Sequence, residues 1–225
     1  MRKIVIGAAL PLLAATSLAS CGHHGDQSAR PSNPDKCVDG NAMNVGDTDV
    51  TLTLAGTTYH WDTSGPIVTL TQNGNGKDVQ LVQSTSVGGP SLAASDCLRS
   101  GGYIRLASPR HTDANRFLQA LATDGVDPGA HPSPNVTIGN YPDPNNDAHA
   151  PQQIDAIFNV VKIPDTSGRS PGMIIRKGDT IILRGVSHDP WLQVPANPTE
   201  GAAINLIDSD KSDQASRWVI SKGQQ

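Results

Sequence analysis

The amino-acid sequence predicts an all-β fold, and three observations predict it. The last third of the chain, 178–222, breaks into four short apolar runs, 180–183, 191–194, 203–207 and 217–221, separated by Gly, Pro, Asp or Ser. Short runs at roughly 8–12-residue spacing are the pattern of strands in a barrel or sandwich. No window there places apolar residues at i, i+3, i+4 and i+7, as an amphipathic helix requires. The preceding chain carries two looser versions of the same block.

The N-terminus reads as an export signal. Arg2 and Lys3 form a positive start, 4–15 a short apolar stretch broken by Pro11, and Leu18-Ala19-Ser20-Cys21 a run of small residues ending in cysteine. Such a stretch is too short and wrongly flanked to span a bilayer. The four residues ending at Cys21 resemble the bacterial lipobox. The resemblance implies cleavage before Cys21, a diacylglyceryl group on its sulfur and acylation of the new N-terminus. Several acyl chains anchor stably where one binds only marginally. Gly22 after the cysteine points, by the sorting habit of such lipoproteins, to the outer membrane. The organisation expected is a signal peptide over 1–20, a lipidated Cys21 with a tether over 21–37, and one domain over 38–225. Residues 22–36 are Gly, Ser, Pro, Asn and charge without apolar periodicity, which suits a flexible tether. His23 and His24 within it make at best half a metal site.

Net charge is −4, and loss of 1–20 removes two bases and no acid, leaving −6. An acidic chain argues against nucleic acid as a partner, because that role needs a basic stripe. Cys37 and Cys97 remain after export to an oxidising compartment, so a disulfide is the default and two free buried thiols the alternative. Zinc has no further cysteine and no CxxC spacing to use.

The first block offers strands at 50–54, 58–62, 67–71 and 79–83. A Ser-, Gly- and Ala-rich loop follows, with a helical turn near 92–94. The second block offers 103–107, 117–121, 136–138 and 157–162. Its gaps at 122–134 and 139–153 hold much Pro and Asn, and structureless loops of that length are usually functional or disordered. The blocks can be compared position by position. Apolar runs ending at Leu70, Ile138 and Leu206 are 68 residues apart in both intervals. Phe117-Leu118-Gln119-Ala120 matches Trp191-Leu192-Gln193-Val194, and Phe158 matches Trp218, each with a lysine four residues later, Lys162 and Lys222. The order of the runs is the firmer sign of repetition, and three units of four strands make twelve.

A threefold, four-strand repeat resembles the β-trefoil, in which six strands close a barrel and three hairpins cap it, removing edge strands. The alternative is an irregular β-sandwich. The trefoil reading puts Leu118 with Leu192, Leu106 with Leu183 and Phe158 with Trp218 in the core. The third block is similar to a ricin-type lectin unit: its Trp191 run, a turn, then 203–218 closing on Trp218. Gly178-Asp179-Thr180-Ile181 with Leu183 fits MIR-like and fascin-like trefoils equally. The departures are specific. Gln119 and Gln193 stand where lectin units carry a sugar-binding aspartate, Ile207 where they carry a stacking aromatic, Ala215 where they carry a polar partner, and Ser216 where the closing motif has glutamine. A sugar site needs a carboxylate or amide for hydroxyls and a ring for the sugar's apolar side, and only the glutamines survive.

No GxSxG, HExxH, Walker loop or GxGxxG in a strand–helix setting occurs. Asp208, Asp210 and Asp213 lack the central glycine and closing glutamate of an EF-hand and read as a solvated turn. His60, His111, His131, His149 and His188 are scattered, and no nucleophile stands beside a base in sequence. Tyr59 and Trp61 share one strand face and His60 takes the other, which reads as core packing for the aromatics. The expectation is a non-catalytic lipoprotein of the cell envelope without a cofactor or bound metal. It would bind a glycan or protein through Gln119, Asp189, Trp191 and Gln193. An accessory subunit of an envelope or toxin complex is the second reading, and a hydrolase with an unrecognised site the third.

Overall fold

The computed structural model describes residue 37 and residues 40–74, 78–84, 96–111, 116–120, 134–138, 156–163 and 172–223, all within the unit Asp35–Gln225. The expected signal, Cys21, the expected tether short of Cys37, and the turn expected near 92–94 lie outside the described residues.

The fold is all-β. Its strands are β1 (Val50–Leu54), β2 (His60–Asp62), β3 (Thr69–Thr71), β4 (Gln80–Gln83), β5 (Gly102–Ala107) and β6 (Leu118–Gln119). They continue with β7 (Thr137–Ile138), β8 (Ile157–Ile163), β9 (Thr180–Gly185), β10 (Trp191–Gln193), β11 (Asn205–Ile207) and β12 (Trp218–Lys222). Each of the twelve expected runs holds one of them, shortened or extended by a residue or two at its ends. A 3-10 turn, Ser212–Gln214, precedes β12.

Pairing is antiparallel throughout. The long strands follow the order β1-β12-β9-β8-β5-β4, and Val50 bridges Val79 so that the path returns from beside β4 to β1. The short strands form the pairs β2–β3, β6–β7 and β10–β11. Each β1, β5 and β9 hands over to its short pair through the same closure: Leu54 N–H donates to Tyr59 C=O, Ser108 N–H to Arg116 C=O, and Gly185 N–H to Pro190 C=O.

Backbone hydrogen bonds join the three blocks in rings. Val68 N–H donates to Val136 C=O at 2.9 Å, Val136 N–H to Ile204 C=O at 2.9 Å, and Ile204 N–H to Val68 C=O at 3.1 Å. A wider ring runs Leu70 to Ala202, Ile138 to Pro66 and Leu206 to Pro134. The 68-residue interval is therefore itself a pairing register. A separate ring joins Met43 N–H to Ile175 C=O, Ile175 N–H to Leu98 C=O, and Leu98 N–H to Met43 C=O. All six ring residues of the two tight triangles are fully buried. Burial forces every such amide to find a partner; in the Val68, Val136 and Ile204 triangle each partner belongs to another block, and in the second triangle to the segment preceding another block.

Alternation sets the core. Leu52, Leu81, Leu106, Leu183 and Ile220 face inward from the long strands, while Leu118 and Leu192 face inward from the short ones. Phe158 and Trp218 share this core, and Trp61 meets Trp218 edge to face, with ring centroids 5.2 Å apart. The paired lysines have a matching job. Lys162 Nζ lies 2.6 Å from Asp179, and Lys222 Nζ 3.4 Å from Asp47. Each aspartate also accepts a backbone N–H of its own turn, from Arg176 and Asn44 respectively. Cys37 and Cys97 are joined as a disulfide.

Candidate functional site

Three of the four residues singled out from sequence come together on the β9–β10 hairpin. Trp191 pairs with Arg184 on β9 and with Ile207 on β11. The Arg184 guanidinium lies over the indole, 5.5 Å from its centroid, and 3.5 Å from the Asp189 carboxylate. A cation over an indole face is attracted by the ring quadrupole. His188 and Asp189 both hold left-handed backbone, with φ of 58° and 54°, a conformation uncommon outside glycine. That turn swings Asp189 back toward Arg184. Gly185 is required just before it, since a Cβ there would lie 2.8 Å from Ala120 Cβ.

Trp191 is buried, and its Nε1–H donates to Ser209 C=O at 2.9 Å. It presents no open ring face; it is the platform under Arg184. Gln193 lies on the same strand face as Trp191, half-exposed, with Nε2 donating to Gln214 C=O at 3.2 Å. Ser216, where the lectin pattern has glutamine, accepts the Val194 N–H through Oγ at 2.8 Å. Gln119 is elsewhere: it is buried on β6, opposite Thr137 of β7. The outward groups of the hairpin are thus Arg184, Asp189 and Gln193, a cation, an anion and an amide. Asp208, in the turn read as solvated, pairs with Lys211.

A second polar cluster was not expected. His60 is buried on β2, and its Nδ1 shares a 2.9 Å hydrogen bond with Asp78 Oδ1. Both faces of β2 are thus covered at His60 and Trp61. Asp78 Oδ2 accepts the Leu52 N–H at 3.1 Å, and its backbone oxygen accepts the Thr63 hydroxyl at 2.7 Å. Burial pushes the Asp78 carboxyl up to about 6, against the opposing pull of His60 and the backbone donors. Gly74 closes over the imidazole, where a Cβ would stand 2.6 Å from His60 Cε1. The Thr63 hydroxyl reaches the backbone of Asp78, and the cluster ties β1 and β2 to the link that precedes β4. No local signal marks it, because His60 lies on β2 and Asp78 on the link between β3 and β4, eighteen residues later.

No protein-family model and no curated protein matches the chain. Among solved structures it is similar to a Caenorhabditis elegans protein of unknown function, at 13% identity and TM-score 0.50, covering 83% of this chain and 99% of that one. The likeness concerns fold alone. The lysenin pore overlaps at 11% identity and TM-score 0.44, with 82% of this chain and 50% of that one covered. Among the described residues no helix is long and apolar enough to cross a membrane.

Proposed function

We propose that the chain is a non-catalytic binding module of the cell envelope, a β-trefoil tethered to a membrane by lipid on Cys21. The trefoil reading is supported by the hydrogen-bond rings and by the bridge from Val50 to Val79 that joins the ends of the six-strand path. The lipid anchor is supported by the Leu18-Ala19-Ser20-Cys21 run and the polar stretch after it. The ligand is a glycan or a protein, taken at the β9–β10 hairpin.

One observation carries the choice of site. Arg184, Asp189 and Gln193 offer donors and acceptors of both signs from a hairpin whose own backbone is fixed by Trp191 and Ser216. Fixed donors and acceptors recognise a ligand at little ordering cost. The test is a glycan array and a pull-down with the full chain in detergent, beside Asp189→Ala and Gln193→Ala. Binding to a glycan or protein that weakens in both variants is the expected result. A folded protein that binds nothing on either screen overturns the reading, and a stoichiometric partner that ignores both variants favours the accessory-subunit role. Cys21→Ser should move the protein from the membrane fraction to the soluble one.

A further inference from the structure

A sugar site needs an aromatic ring, and the lectin-like block has Ile207 where that ring would stand. Strand register brings one to the same hairpin from another block. Arg184 on β9 pairs with Asn159 on β8, and Asn159 pairs with Tyr103 on β5. Directly opposed residues of antiparallel strands share one side of the sheet. The other side is taken by core residues of the same strands, Ile104, Phe158 and Leu183. Tyr103, Asn159 and Arg184 therefore form a single row on the outer face, with the Tyr103 and Arg184 backbones two strand spacings, about 10 Å, apart.

Asn159 fixes the Tyr103 end of the row. It is buried, and its Nδ2 donates to Gly101 C=O at 3.0 Å and to Gly102 C=O at 3.4 Å. Gly101 N–H donates in turn to Val160 C=O at 2.7 Å. The backbone just ahead of Tyr103 is thereby tied to β8. At the other end Arg184 rests on the Trp191 indole and reaches the Asp189 carboxylate. Of the described aromatic side chains, Trp61, Phe158, Trp191 and Trp218 are buried, Tyr59 packs on the core, and Phe117 has the Arg105 guanidinium 5.4 Å from its centroid. Tyr103 is the one that turns outward, half-buried, on a row shared with the hairpin.

We propose that Tyr103 is the sugar-stacking residue of the β9–β10 site, which takes a neutral disaccharide lying across β8, one sugar ring on the Tyr103 phenol and the hydroxyls of the other on Arg184 and Asp189. A pyranose has an apolar side of C–H groups that packs on an aromatic face, and hydroxyls that donate to a carboxylate and accept from a guanidinium. Arg184 already shares its charge with Asp189, which favours a neutral sugar over an acidic one. A row three strands wide falls short of the roughly 800 Å² per partner that a stable protein interface needs. The inference rests on the reading of this hairpin as a binding site, and narrows its ligand from glycan or protein to glycan.

The test is titration of the full chain, in a detergent without a sugar headgroup, with lactose, cellobiose and N,N′-diacetylchitobiose, followed by proton NMR. At least one disaccharide should bind, with its ring protons moved upfield by the Tyr103 ring current. Tyr103→Phe should keep that shift and hold the affinity within about threefold, because the ring face remains. Tyr103→Thr, a residue that suits a strand, should lose the shift and weaken binding about tenfold. Should Tyr103→Thr melt early, the parent alone decides: a bound sugar without the upfield shift overturns the proposal. Glycan binding that Asp189→Ala weakens and Tyr103→Thr leaves intact overturns the role of Tyr103 while the hairpin site stands. A protein bound at that hairpin, with no disaccharide bound, does the same. Failure of glycans and proteins alike to bind there removes both readings.

Discussion

His60 and Asp78 illustrate how much a single buried pair can set. The Asp78 carboxyl is held up to about 6, mainly by burial, against 3.8 for the free group. The folded state thus binds this proton more tightly than the unfolded state. Its contribution to stability is complete below pH 4 and fades as pH rises through 6. We expect Asp78→Asn to flatten the stability profile between pH 4 and 6, a span worth roughly 2–3 kcal/mol. Urea melts across that range check it; a parent profile that is already flat there would refute the assignment. The pair was illegible in sequence for a physical reason. Alternation correctly sent Trp61 to the core, but whether His60 meets water depends on the link bearing Gly74 and Asp78 folding back over it, and no spacing records that.

At the level of elements, the short pairs depend on hydrogen bonds made to other blocks. Val136 N–H serves Ile204 C=O inside the closed triangle. Val136→Pro removes the donor and leaves a buried carbonyl unanswered, so it should cost about 1–3 kcal/mol beyond Val136→Ala. Equal melting of the two variants would show that the ring contributes nothing. The strands themselves were readable, since each needs only a few residues of alternating burial bounded by turn formers. The intervals ending at Leu70, Ile138 and Leu206 held more than the run order suggested, because equal spacing is what a cyclic register demands. The hairpin residues were half legible. Asp189 and Gln193 stand outward beside Arg184, whereas Trp191 and Gln119 are buried, because a matched motif position fixes the strand but not its exposure. Arg184 escaped notice: its role comes from pairing across β9 and β10, seven residues away.

For the whole molecule, the disulfide and the rings act on the same problem of a short-stranded fold with few aromatics. Cys37 and Cys97 close a separation of 60 residues, and a loop of that size is worth about 4 kcal/mol in the chain-entropy account. Reduction should lower the melting temperature markedly while far-ultraviolet dichroism at room temperature stays that of β-structure. Unchanged melting under reductant would show that the bond adds nothing to the fold.

The triangles carry an implication for ancestry and assembly. Each block supplies one donor and one acceptor to the two rings through Val136 and Ile138, so none can complete such a ring alone and no pair of blocks can close one. An isolated block that folds at all should do so as a trimer of copies, and deleting any one block should yield aggregates through unmatched edges, not a smaller monomer.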